Sequence, residues 1–150
     1  MNVAVLGAGA FGTALAVALA RGERDVTLWA RDPRDMAAAR ENVQRLPGIR
    51  FPEQVQGTGD MAKVTAPVIL RATPMQALGG FLAQHAAQLD GKTLVTCCKG
   101  VDLNSGLGPT EITAKACPAA QVAVLSGPGF AIDIASGLPT ALTLAGQGNT

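Results

Sequence analysis

Short apolar runs and amphipathic stretches alternate along this chain. Residues 2–6 (NVAVL) form an apolar run that stops at Gly7, the pattern of a buried strand. Residues 10–21 are rich in Ala and Leu and end before Gly22, which predicts a helix. Residues 26–30 (VTLWA) predict a second strand. Asp32-Pro33 then predicts a helix start, with Asp32 as N-cap and Pro33 at the first helical position. That helix is expected to run to about residue 45, ahead of Leu46-Pro47-Gly48.

The stretch 48–66 carries Pro52, Gly57 and Gly59 and predicts a surface loop with short strand pieces. Residues 67–72 (PVILRA) resume as a strand, and Pro74 opens a helix to about residue 88. Within that helix Gly79-Gly80 cost about 2 kcal/mol relative to two alanines. Strands at 92–98 and 121–125, a helix at 109–116 begun by Pro109, a short helix near 130–136 and a last strand near 140–145 complete the chain. The alternation predicts one α/β domain over 1–150. Right-handed crossovers would make it a Rossmann-like, doubly wound, mainly parallel sheet with helices on both faces.

The run from 3 to 20 is almost wholly apolar and could pass for a signal peptide or a membrane span. Glycines at 7, 9 and 12 interrupt it and no basic residue precedes it, so the chain is expected to be cytoplasmic, without a membrane span. Aromatic residues are scarce, with one Trp, four Phe and no Tyr. The core must therefore be built from Ala, Val, Leu and Ile, which suits buried parallel strands.

A net charge of +1 gives no general surface for nucleic acid. Arg31, Arg34 and Arg40 form a modest basic cluster that reads as a solvated helix face rather than a phosphate site. Cys97, Cys98 and Cys117 are odd in number and lack framework spacing, which argues against a disulfide scaffold. No CxxC or histidine cluster accompanies them, so no metal site is expected. Cys97 and Cys98 read as small buried hydrophobes, and His85 as a solvated surface histidine. Arg71 interrupts the apolar strand and is expected to snorkel to the sheet edge, with no ligand role indicated by a motif.

Gly7-Ala8-Gly9-Ala10-Phe11-Gly12 matches GxGxxG between a predicted strand and a predicted helix. In that setting the pattern signals a dinucleotide-binding loop. Gly7 permits the tight turn, Gly9 lets the backbone approach a pyrophosphate, and Gly12 lets the helix lie close to the sheet. The helix N-terminus supplies free N–H groups and a positive dipole end. Arg31 lies at the second strand tip, near the spacing of about 20 residues at which such folds read the cofactor ribose. A basic residue there suits a 2′-phosphate, so NADP is slightly favoured over NAD, with Asp32 assigned to helix capping. Lys99 follows the strand at 92–98 at its carboxyl end. It reads either as a phosphate or carbonyl ligand or as an ordinary solvated lysine. Ser126-Gly127-Pro128-Gly129 is a second glycine-rich turn that can offer backbone N–H groups.

GAGAFGTALA at 7–16, LWARD at 28–32, ATPMQAL at 72–78, CCKG at 97–100 and LSGPGFAIDIASGLPTA at 125–141 resemble, in order and spacing, the bacterial NAD(P)-dependent glycerol-3-phosphate dehydrogenases. The resemblance covers essentially the whole chain. It implies reversible hydride transfer between NAD(P)H and dihydroxyacetone phosphate, a phosphorylated small-molecule substrate, giving sn-glycerol 3-phosphate for phospholipid synthesis. It further implies cofactor contacts at Ala10, Phe11, Arg31, Pro74, Lys99 and Ala131, and substrate contacts at Lys99, Gly127 and Gly129. Where this chain has Gly129 the family usually has Ser or Thr, so a hydroxyl contact is lost. The family's C-terminal helical domain, with its proton-transferring lysine and most substrate contacts, is expected beyond residue 150. No catalytic residue is assigned within 1–150, and a homo-oligomer is expected of the full-length protein. Competing readings are another two-domain NAD(P)-dependent dehydrogenase, or a non-catalytic nucleotide-sensing module.

Overall fold

In a computed structural model the chain is described over residues 2–33, 36–127 and 129–146. The strands are β1 (Asn2–Leu6), β2 (Asp25–Trp29), β3 (Glu41–Asn42), β4 (Leu46–Arg50), β5 (Val55–Thr58), β6 (Val68–Arg71), β7 (Thr93–Thr96), β8 (Gln121–Ser126) and β9 (Thr143–Gly146). The helices are α1 (Ala10–Arg21), α2 (Met36–Ala39), α3 (Met75–Leu89), α4 (Pro109–Ala116) and α5 (Ala131–Ala135). A seven-stranded sheet runs β5-β2-β1-β6-β7-β8-β9. Its pairings are parallel except that of β9 with β8. The chain order therefore reverses beside β1, where β2 lies on one side and β6 on the other. In such sheets ligands bind at this reversal, outside the carboxyl ends of the strands.

Both faces of β1 are buried, as a central parallel strand requires. Val3 and Val5 pack with α1 residues Leu15, Ala16, Val17 and Ala20. Ala4 and Leu6 face the other way and pack with Leu78, Leu82 and Leu89 of α3 and Ile112 of α4. Small residues along α1 let α5 lie against it, with Ala14, Ile134 and Ala135 buried between them. The Arg21 guanidinium donates to the Ala135 carbonyl and ties the ends of the two helices together.

The expected helix to residue 45 is overturned. Pro33 is non-helical, α2 spans only Met36–Ala39, and the two residues between lie outside the described set, as does Arg34 of the expected basic cluster. The chain then turns at Arg40, whose φ of 53° ends helical geometry, and enters a small antiparallel ribbon of β3 and β4. Tertiary bonds outweigh helix propensity here. Arg40 donates to the carbonyls of Val55 and Pro52 at 2.7 Å each, so it braces the chain entering β5 rather than forming a solvated face. The expected surface loop at 48–66 also holds β5, a full edge strand of the main sheet.

Helix α3 runs unbroken through Gly79 and Gly80, and a Cβ at either would meet nothing within 4 Å. Gly79→Ala is expected to raise the unfolding free energy by about 1 kcal/mol, moving the urea midpoint upward at unchanged slope. A loss of stability would show that the helix is strained at this point.

Candidate functional site

The glycine loop leaves β1 at Gly7 and enters α1 after Gly9, its N-cap. Gly7 has φ of 111°, and a Cβ there would stand 2.5 Å from the Ala72 carbonyl oxygen. A Cβ on Gly12 would stand 2.1 Å from the Gly7 carbonyl oxygen and 3.0 Å from the Ala72 Cβ. Helix, turn and the end of β6 are thus in backbone contact, and no side chain fits between them. A Cβ on Gly9 would meet nothing within 4 Å, so this position faces open space. The first intrahelical bond runs from Thr13 N–H to Gly9 C=O, which leaves the amides of Ala10, Phe11 and Gly12 without helical acceptors.

Sequence reasoning missed the brace behind this loop. Asn42 is buried, and its Nδ2 donates to the Ala8 carbonyl at 2.8 Å and to Thr13 Oγ1 at 2.9 Å. One side chain from the β3–β4 ribbon thus holds both the loop and the first turn of α1. Its position inside a predicted helix hid the signal.

Two cavities open along the carboxyl ends of the strands. The larger, of about 830 Å³, is lined by Gly7, Gly9, Trp29, Arg31, Pro74 and Phe81, among others. The smaller, of about 260 Å³, is lined by Phe11, Cys97, Lys99, Ser126, Gly127 and Gly129, among others. Both include Ala72 and Thr73, so they meet at the end of β6. The expected cofactor residues Gly7, Gly9, Arg31 and Pro74 share the large cavity, while Phe11 shares the small one with the expected substrate residues Lys99, Gly127 and Gly129. Ala10 is in the first turn of α1. Gly12 lines neither cavity, and its part is the close approach described above. Ala131 lines neither; it starts α5 and packs in the cluster between α1 and α5.

Asp32 and Arg31 line different spaces. Asp32 lines a neighbouring cavity of about 500 Å³ together with Glu41 and Asn42. Among the described residues, the large cavity is lined by the cations Arg31, Arg45 and Arg71 and by no acidic residue.

Arg71 corrects the expectation of a snorkelling side chain: it is only 4% exposed. Its guanidinium carbon lies 3.6 Å from the centre of the Phe81 ring, a cation–π contact. Phe81 also meets Trp29 edge-on at 5.4 Å and His85 at 4.5 Å, so His85 is half-buried against a ring rather than freely solvated. Burial pulls the Arg71 pKa down to about 10, opposed by Cys98 and reinforced by the like charge of Arg31. Cys97 is half-buried and Cys98 is buried, as small hydrophobes. Burial, with Cys98 adding, pushes the Cys97 thiol up to about 12, so at neutral pH it stays protonated and is a poor nucleophile.

The buried side-chain nitrogen and oxygen atoms that lack a hydrogen-bond partner among the described residues are Trp29 Nε1, Arg71 Nε, Arg71 Nη1 and Thr73 Oγ1. All belong to residues lining the large cavity. Buried polar groups are rarely left unpaired, and their concentration here marks a place completed by a ligand. A dinucleotide fits these features: free helix amides and an open Gly9 for phosphates, and two cavities that share Ala72 and Thr73 in their walls. No group of three or more His, Cys, Asp or Glu that could hold a metal occurs among the described residues. No helix among them is long and apolar enough to cross a membrane.

Replacing Asn42 by Ala should leave the Ala8 carbonyl without its amide donor, at a cost of about 1–3 kcal/mol. Weakened dinucleotide binding in calorimetry is the expected outcome, with Asn42→Asp, which lacks the amide donor, equally impaired. Undiminished affinity in both variants would remove the bracing role.

Residues 2–150 match the family model for the NAD-dependent glycerol-3-phosphate dehydrogenase N-terminus. The chain is 57% identical to the glycerol-3-phosphate dehydrogenase [NAD(P)+] of Cereibacter sphaeroides and 56% identical to that of Paracoccus denitrificans. Each alignment covers 97% of this chain, but only 44% and 45% of the relatives. The crystal structure of glycerol-3-phosphate dehydrogenase from Coxiella burnetii superposes with a TM-score of 0.90 at 34% identity, over 98% of this chain and 47% of that one. The chain thus spans less than half the length of these relatives. With the loop, the reversed strand order and the joined cavities in place, the match places this chain in the family of NAD-dependent glycerol-3-phosphate dehydrogenase N-terminal domains.

Proposed function

We propose that residues 1–150 are the cofactor-holding half of an NAD(P)-dependent sn-glycerol-3-phosphate dehydrogenase that reduces dihydroxyacetone phosphate, a step of glycerophospholipid synthesis. The observation that carries this reading is the pair of cavities meeting at Ala72 and Thr73, one built on the glycine loop and the other on Lys99. The cofactor, when bound, supplies the hydride; this chain binds it, orients it and positions the substrate.

In this reading the first-turn amides of α1 hold the pyrophosphate, with Ala10 and Phe11 at the helix start and the α1 dipole favouring its charge. Arg31 and Pro74 flank the adenosine half, and the cationic lining around Arg31 favours NADP over NAD. Lys99 lies at the carboxyl end of β7, is exposed, and lines the small cavity. Its ammonium would hold the substrate phosphate or stabilise charge developing on the carbonyl oxygen. Gly127 and Gly129 would offer backbone contacts to the same substrate, Gly129 without the hydroxyl found in most of the family. Ala131, at the start of α5, would approach the cofactor again.

Proton transfer would come from a lysine beyond residue 150, in a helical domain that completes the substrate site. An apolar side chain beside the small cavity suits such a cover: Phe130, next to Gly129, is 77% exposed. The full-length enzyme would be a cytoplasmic homo-oligomer acting on a phosphorylated small molecule.

The test is a titration of purified 1–150 with NADPH and NADH, followed by Trp29 emission, and an assay with dihydroxyacetone phosphate. Saturable quenching without turnover is expected, with NADPH the tighter ligand. Robust turnover by 1–150 would contradict the assignment of proton transfer to residues outside it, and absence of quenching by both nucleotides would contradict the cofactor site itself.

A further inference from the structure

Arg71 ends β6, and the sheet register sets it beside Leu6, with Trp29 on Leu6's other side. Side chains of in-register neighbours in a parallel sheet share a face. Arg71 and Trp29 therefore flank Leu6 on the α3 side, and Phe81 of α3 touches both. Arg71 lines the large cavity together with Arg31, which follows the tip of β2, and on its inner side it borders a small void with Leu82, Leu94 and Thr113.

A structural arginine at such depth would be expected to spend its donors on carbonyls or a carboxylate. Arg71 does not: its Nε and Nη1 are buried without a partner, and among the described residues no acidic one lines the large cavity. Arg31 and Arg45 line the same cavity. Several cations around one space repel one another unless an anion is shared between them. The glycine loop and α1 already provide for one anion at the other end. The fork geometry of a guanidinium matches a phosphate, to which it can donate two parallel N–H bonds.

We propose that Arg71 is a specificity-determining residue that, with Arg31, reads a phosphate on the adenosine ribose of the dinucleotide. The inference rests on the reading of the large cavity as the seat of the adenosine half. Arg31 would approach the phosphate from the strand tip, and Arg71 from the cavity wall where it stacks on Phe81. Burial without a partner makes the unliganded protein hold Arg71 at a cost, which the phosphate relieves. Arg71 therefore trades stability for selectivity, whereas a purely structural residue would contribute stability and no selectivity.

Calorimetric titration with ADP-ribose and with its 2′-phosphate separates the two ideas, since these probes differ only in the ribose phosphate. The wild type should bind the 2′-phosphorylated probe more tightly. Arg71→Met should weaken that probe by roughly 10- to 100-fold, the scale of a lost charge-assisted pair, while ADP-ribose changes by less than about 3-fold. The melting temperature of unliganded R71M should equal or exceed that of the wild type. Arg71→Lys should lie between wild type and R71M in selectivity, as charge without the fork. Equal weakening of both probes by R71M would overturn the proposal, because Arg71 would then serve the adenine or the pyrophosphate. Unchanged selectivity in R71M would overturn it too, and if R71M does not fold, unchanged selectivity in R71K does the same. Selectivity lost in Arg31→Met but kept in R71M would leave the cofactor reading standing and refute only the part given to Arg71. Binding of neither probe by the wild type would defeat the cofactor reading as well.

Discussion

Three backbone segments meet behind the glycine loop with no room for a side chain. A methyl group on Gly12 would intrude on the carbonyl of Gly7, and one on Gly7 would intrude on that of Ala72. The contact locks the first turn of α1 to the ends of β1 and β6, the strands at which the sheet reverses its order. Everything at the site follows from this junction. It sets the free amides of α1 over the crevice, and it places Ala72 and Thr73 where the two cavities join. Asn42 then closes the arrangement from the other side, with one amide group serving both the loop carbonyl and Thr13.

The site also shows where stability is given up. The core on both faces of the sheet is apolar and closely packed, and the unpaired buried polar atoms gather at residues around one cavity. Unsatisfied donors of this kind each forfeit free energy in the unliganded protein, on the order of 1–3 kcal/mol. Such groups are tolerated where a ligand completes them. Arg71 and Trp29 share Phe81 as a common wall, so the polar and aromatic parts of the cavity form one cluster rather than separate features.

The sequence was most legible where pattern and propensity agree. The buried period of β1, the small-residue helix α1 and the spacing of the glycines identified the fold and the loop before any coordinates. α3 was legible despite its glycines because its apolar face outweighs them. Around residue 40 the same reasoning failed, since alanines and arginines favour a helix locally. The positive φ of Arg40, its bonds to Val55 and Pro52, and the recruitment of Asn42 are tertiary effects invisible in a local window. Strand β5 was expected only as an unplaced strand piece for a related reason: Val55-Gln56-Gly57-Thr58 has little hydrophobic signal and pairs into the main sheet because β2 offers an edge. Arg71 stood out as an anomaly in an apolar strand, but only the structure places it inside the cavity wall. Lys99, Gly127 and Gly129 were named from motifs, and the fold brings them around one small cavity. Ala131, named in the same way, starts α5 and packs beside α1.

The central claim is that a dinucleotide completes the polar groups at the carboxyl ends of β1, β2 and β6. A two-dimensional ¹H–¹⁵N spectrum of the protein titrated with NADPH tests it directly. The chain has a single Trp, so one indole N–H signal reports on Trp29 without ambiguity. The account predicts a saturable shift of that signal together with the amides of Gly9, Ala10 and Phe11. Shifts that leave these groups unchanged and gather instead around Thr110, Ala114 and Val122, which line a separate cavity between α4 and the β8–β9 edge, would contradict it.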